Sequence, residues 1–205
     1  LLFFSLPKNR KKGKQKMKNI EEKILISEEL FTEAIEKMDI QENETILDLY
    51  CGVGSIALQA AKRGANVIGI EIQKEAIQRA KENAKLNGMT NTRFFAEKAE
   101  ERPDEILKKY NPKGVFVDPP RAGLDEKLIH ALTESKVEKV VYVSCDPVTL
   151  IRDLSRFQES GWGIGEVVPY QYRLRLHRIP LSLDIFPYYL IYSIQKLYSL
   201  IFLIP

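Results

Sequence analysis

The stretch ETILDLYCGVGSIALQAAKRGANVIGIE, residues 44–71, decides the fold. ETILDLY (44–50) is a short apolar run, and NVIGIE (66–71) is a second. Between them lies a turn with two glycines, then a helix over 55–63. Strand, helix and strand in so short a span make a βαβ unit, whose two strands must run parallel. Continuous apolar strands belong to sheets covered on both faces. Gly52-Val53-Gly54-Ser55-Ile56-Ala57 satisfies G-x-G-x-x-G/A. Glu71 follows about 20 residues on, as a dinucleotide site requires. Glycine lets the backbone turn tightly and approach a ligand, and the helix behind it offers free N–H groups. The Glu71 carboxylate could accept two ribose hydroxyls, or could be an exposed cap for the next helix. An NAD enzyme and another adenosine-cofactor enzyme look alike at this level.

Outward from this unit the alternation continues. TRFFAE (92–97), GVFVD (114–118) and KVVYVS (139–144) read as strands. Residues 73–87, 103–110, 125–135 and 147–160 read as helices, with Asn87-Gly88 as a stop and Pro103 in a first turn. A further helical period covers 24–39. The expectation is an α/β fold with a doubly wound, mostly parallel sheet. Ligands of such sheets bind outside the carboxyl ends of the strands, and the unusual residues of this chain gather there.

Two of those ends are distinctive. DPPRAGL (118–124) places Asp118 at a strand end before two prolines. The prolines fix φ and remove two donors, which makes a rigid lip. Arg121 could reach a phosphate or support the loop. VYVSCDPVTLIRDL (141–154) places Cys145 at the next strand end. Asp146 or Ser144 can cap the following helix, and Pro147 suits its first position. A thiol at the positive end of a helix is expected to favour thiolate. In the usual doubly wound order Cys145 would lie beside Asp118. The plain alternative is a buried small residue, which is the reading given to Cys51 inside the glycine turn.

Composition bounds the rest. A chain of 205 residues, 44% hydrophobic and 29% charged, suits one soluble α/β domain. Two cysteines make no disulfide framework, and alone hold neither an iron–sulfur cluster nor structural zinc. His130 and His177 are isolated. No metal and no disulfide partner are expected, and a reduced, cytoplasmic monomer is. Residues 8–18 carry seven Lys or Arg and no acid, a solvated arm that attracts polyanions without specificity. Beyond Pro169 the βα pattern fails. Residues 185–205 are very apolar but interrupted by Pro187, Gln195 and Lys196, so membrane contact is not expected. The chain divides into a basic arm (1–22), a catalytic domain (23–169) and an atypical apolar tail (170–205).

Together DLYCGVGS, GIE, DPPRAGL and VYVSCDPVTLIRDL resemble the catalytic domain of the S-adenosylmethionine-dependent RNA uracil-C5 methyltransferases. The resemblance spans roughly residues 44–169 and implies a Rossmann-like class I methyltransferase. It implies that Tyr50, Gly52, Ser55, Glu71, Lys98 and Asp118 contact S-adenosylmethionine, although related enzymes often carry Asn at the Lys98 position. It implies that Cys145 is the nucleophile, that the substrate is a uridine in RNA, and that ribosomal 23S RNA is the expected target, with transfer RNA as the other choice. Family members continue with a Phe-Pro-His-Thr-x-His-x-Glu motif whose Glu is the general base, where this chain has PYQYRLRLHRIP (169–180). They also carry an upstream Gln and an N-terminal barrel domain, so truncation at both ends is expected. An inactive cofactor- or RNA-binding remnant is one alternative. An NAD-dependent oxidoreductase is another, but it leaves DPPR and SCDP unexplained.

Overall fold

The computed structural model describes residues 30–171, 174–175 and 197–205. The basic arm, the first turns of the helix expected over 24–39, and residues 176–196 lie outside the described residues.

Helix α1 covers residues 30–38. There follow β1 (Thr45–Leu49), α2 (Ser55–Lys62), β2 (Asn66–Glu71), α3 (Lys74–Leu86), β3 (Thr92–Ala96), α4 (Pro103–Tyr110) and β4 (Gly114–Val117). Then come α5 (Glu126–Thr133), β5 (Lys139–Ser144), α6 (Pro147–Glu159), β6 (Gly163–Gln171), β7 (Leu174–Arg175) and β8 (Leu197–Ile204). One sheet of eight strands has the order β3-β2-β1-β4-β5-β8-β6-β7. Strands β1 to β5 are mutually parallel. Strand β8 runs antiparallel to both β5 and β6. The expected doubly wound, mostly parallel sheet is present. The chain reverses its direction of growth between β1 and β4, where such sheets open a crevice.

Each strand sends alternate side chains to opposite faces. Ile46, Val67, Phe94, Phe116 and Val141 pack against α1, α2 and α3. Leu47, Leu49, Ile70, Val117 and Tyr142 pack against α4, α5 and α6. Two cores therefore clamp the sheet and hold its carboxyl ends in register.

The far edge is formed where the βα pattern of the sequence fails. Beyond residue 160 the chain forms a strand over Gly163–Gln171, and the end of the apolar tail, Leu197–Ile204, inserts between β5 and β6. Gly163 and Gly165 and a register shift between Ile164 and Val167 erase any strand period there. An apolar run such as LYSLIFLI carries no signal that separates strand from helix or tail. Ile201 and Leu203 are fully buried in one core and Phe202 in the other. Lys37 of α1 pairs with Glu166 of β6 and lies 5.7 Å from the centre of the Phe202 ring. Among the described residues no helix is long and apolar enough to cross a membrane.

Candidate active site

The turn after β1 is built from left-handed residues. Tyr50 has φ 65°, Gly52 54° and Gly54 86°. For a tyrosine that conformation costs about 1–2 kcal/mol. Cys51 N donates to Ile70 O at 3.0 Å and Gly54 N to Cys51 O at 2.8 Å, which fixes the turn on the end of β2. A side chain at Gly52 would point into open space, with nothing within 4 Å.

Gly54 caps α2 but brings no side chain to its free N–H groups. Asp48 does this from the strand beneath, its Oδ2 accepting from Ala57 N at 3.0 Å. Its Oδ1 has no partner although Asp48 is 1% exposed. Burial pushes the Asp48 carboxyl well above the usual range, and the charges of Asp118 and Glu71 add to the shift. Glu71 braces the same turn. Its Oε2 accepts from Gly52 N at 3.2 Å and its Oε1 from Gln73 N at 2.9 Å. Each oxygen keeps a further lone pair for a hydroxyl donor.

Tyr50 donates its hydroxyl to Glu100 Oε1 at 2.6 Å, and burial together with that carboxylate pushes the phenol upward. Ser55 is the first residue of α2 and half-buried. Lys98 is exposed and borders a hollow lined also by Ile72, Glu97, Arg102 and Ile106. It follows β3, and β2, β1 and β4 lie between that strand and β5, so Lys98 stands away from Cys145.

Asp118 and Cys145 are brought together by the pairing of β4 with β5, in which Val117 faces Tyr142. Asp118 follows Val117 directly, and its N donates to Leu49 O at 3.4 Å. Burial pushes its carboxyl up to about 7. Cys145 follows Ser144 and is half-buried. Helix α6 begins at Pro147 and is capped by Asp146, whose Oδ1 accepts from Val148 N at 3.0 Å and Thr149 N at 3.2 Å.

The expected preference for thiolate at Cys145 is not met. Burial raises the thiol above its ordinary value, and Asp118 raises it further. Arg121 pulls the other way without prevailing. The physical reason is first the burial of the thiol and then the neighbouring Asp118 carboxyl; Asp146, which caps α6, adds a smaller push in the same direction. Cys51 is buried, and its thiol is pushed up by burial and by Asp48 and Glu71, as suits a packed residue.

Sequence reasoning assigned no role to Asp48 or to Asp153. Asp153 lies on the buried stripe of α6 with Leu150, Leu154 and Phe157 and is fully buried. Its Oδ2 accepts from Leu124 N at 2.7 Å and from the Tyr142 hydroxyl at 2.9 Å. A carboxylate within a helix's apolar period was the available signal for Asp153, and one within an apolar strand was the signal for Asp48. Among the described residues no group of three His, Cys, Asp or Glu side chains is arranged to hold a metal ion.

These motifs have close parallels. An uncharacterized RNA methyltransferase of Clostridium acetobutylicum is 42% identical over 144 residues, which is 70% of this chain and 31% of that protein. Another, of Listeria innocua, is 43% identical over 150 residues, 71% of this chain and 32% of that protein. The chain thus spans about a third of the length of the curated relatives it matches. The crystal structure of Pyrococcus abyssi tRNA (uracil-54, C5)-methyltransferase in complex with S-adenosyl-L-homocysteine superposes with a TM-score of 0.62 at 28% identity. That match covers 85% of this chain and 38% of the other. A Geobacter metallireducens precorrin-6y C5,15-methyltransferase, 16% identical, shares the fold with a TM-score of 0.64 over 85% of this chain and 86% of its own. The model of the tRNA (uracil-5-)-methyltransferase family matches residues 19–166, most of the chain, and the protein belongs to that family.

Proposed function

We propose that this chain transfers a methyl group from S-adenosylmethionine to C5 of a uridine in RNA, with Cys145 as nucleophile. The observation that carries the proposal is the pairing of β4 with β5, which sets Cys145 beside Asp118 at the crevice mouth. An NAD-dependent reading of the glycine turn gives no use to either residue.

The crevice fits the cofactor. The backbone at Gly52 faces open space, and Asp48 holds an unpartnered carboxylate oxygen beneath the turn. Asp48, Glu71 and Asp118 form an acidic surround suited to a cationic ligand. Tyr50, Gly52 and Ser55 would hold it from the turn, Glu71 through ribose hydroxyls, Asp118 from the lip, and Lys98 from the outer rim. When bound, S-adenosylmethionine supplies an electrophilic methyl group on a sulfonium.

C5 of uracil is too weak a nucleophile to take that methyl unaided. Addition of the Cys145 thiolate to C6 makes the C6–S bond and leaves C5 enolate-like, so that C5 could take a methyl group from a sulfonium, whose S–CH3 bond would break to leave a neutral thioether. Loss of the C5 proton to a base expels the thiolate and restores the double bond. The thiol is held above its ordinary value, so it must give up its proton to a base or to water before it adds to C6. C5 and C6 are accessible only on an unstacked base, so the uridine is presented in a loop or flipped out. We place the target in 23S ribosomal RNA and the reaction in the reducing cytoplasm, where a free nucleophilic thiol survives.

Intact-mass analysis tests this with the full chain, S-adenosylmethionine and 5-fluorouridine-substituted RNA, in ribosomal and transfer RNA arms. Fluorine blocks loss from C5, so the adduct accumulates without any base. A methylated adduct absent from Cys145→Ala is expected, stronger in the ribosomal arm. An adduct that persists in Cys145→Ala overturns the nucleophile. No adduct in either arm, with S-adenosylmethionine bound, overturns the reaction.

A further inference from the structure

Three elements end near the reacting residues: β4 with its following loop, β5, and α6. One buried carboxylate touches all three. Asp153, fully buried on α6, accepts from Leu124 N of the loop and from the Tyr142 hydroxyl of β5. Its other oxygen accepts from Arg152 Nε at 2.9 Å and Nη2 at 2.7 Å. Arg152 Nη2 also donates to Ala122 O at 2.8 Å. Helix and loop are thus bonded in both directions, from carboxylate to loop N–H and from guanidinium to loop carbonyl.

Gly123 completes the arrangement. It has φ 77°, and its N donates to Pro120 O at 2.9 Å. A Cβ there would collide with Asp153 Oδ2 and lie 2.5 Å from Arg152 Nη2. The loop backbone therefore rests directly on the ion pair. An apolar residue at 153 would fill the same stripe without the desolvation that a buried charge costs. What the charge adds is a fixed set of directed bonds, and these bonds define where the loop sits.

We propose that Arg152 and Asp153 are positioning residues that lock the Pro120–Leu124 loop to α6, and so hold Asp118 and Arg121 in a fixed relation to the Cys145 thiol. The inference rests on the assignment of Cys145 above. Asp118 is four residues before Ala122, and Tyr142 is three before Cys145. Movement at the lock is therefore passed to both sides of the thiol within one or two bends of the chain.

The test uses the full chain with no RNA and no cofactor, so its failure is separate from that of the fluorouridine trap. Arg152 is half-exposed at the surface, so Arg152→Ala disturbs the core less than Asp153→Asn, and a cooperative thermal transition confirms that the variant is folded before it is used. Two quantities are measured on the folded variant: amide hydrogen exchange over 122–124, and the rate of Cys145 alkylation at pH 8 read by peptide mass. Arg152→Ala is expected to speed exchange at least tenfold. It is also expected to raise alkylation at least threefold, because a loosened lip exposes a thiol whose proton is held mainly by burial. Arg152→Lys should recover part of both effects. Arg156→Ala should change neither, since Arg156 reaches Asp153 only at 3.8 Å. Faster exchange with unchanged alkylation would reduce the pair to a loop staple and overturn the positioning role. Unchanged exchange, with or without altered alkylation, overturns the lock itself.

Discussion

Asp118 shows how one residue carries a cost that function can use. Burial lifts its carboxyl from 3.8 to about 7. A carboxyl raised in the folded state binds its proton more tightly there than in the unfolded chain. Its contribution is therefore full below about pH 3.8 and is lost as pH rises through about 7. The slope within that window reaches at most about 1.4 kcal/mol per pH unit for one proton. Asp48 acts with the same sign. We expect Asp118→Asn to match the parent chain in stability near pH 4 and to exceed it at pH 8, in denaturant titrations at a series of pH values. Identical pH profiles for the two proteins would show that Asp118 is not held in a desolvating site. A ligand bearing a positive charge would relieve this cost.

At the scale of elements, β2 decides how closely the glycine turn can approach the sheet. Gly69 stands in the middle of β2, where a Cβ would come 2.5 Å from the Phe94 ring and 2.9 Å from Cys51 Sγ. Phe94 is buried between α2, α3 and the sheet. We expect Gly69→Ala to destabilise the fold by about 1–3 kcal/mol, the usual cost of overpacking. Adding Phe94→Leu should recover part of it, so the double-mutant cycle is non-additive. Additive losses would mean that the two residues do not compete for the same space. The five parallel strands were legible in the sequence because each is a short apolar run that alternates with a helical segment, and Glu71, Asp118 and Cys145 stand at their ends. The bonds of Asp153 were not legible. It occupies a core position of α6, and its partners Leu124 and Tyr142 are joined to it only by tertiary packing. The upward shift of the Cys145 thiol was missed for a related reason: sequence shows the helix terminus but neither the burial of the thiol nor the Asp118 carboxyl beside it.

At the scale of the molecule, the sheet is finished by its last strand in sequence. Strand β8 is far from β5 in the chain, and nothing local in LYSLIFLI distinguishes a central strand from a loose apolar tail. The structure gives it two partners, β5 from Val140 to Ser144 on one side and β6 on the other. Without it, β5 and β6 would each present an unpaired edge, and both cores would open at the flank of the strand that carries Cys145. Ile201, Phe202 and Leu203 bury about 1.5–3 kcal/mol each, roughly 5–9 kcal/mol together. That is comparable to the whole stability of a domain, about 5–15 kcal/mol. We therefore expect a chain ending at residue 196 to lose its cooperative thermal transition, and to lose the protection of Val141 and Val143 amides from exchange along with it. A truncated chain that melts cooperatively within a few degrees of the full one would show that the five parallel strands and their six helices stand alone. In that event the terminal strand would be a cover over the edge of β5, and the geometry at Cys145 would depend on α6 and the loop after β4 without it.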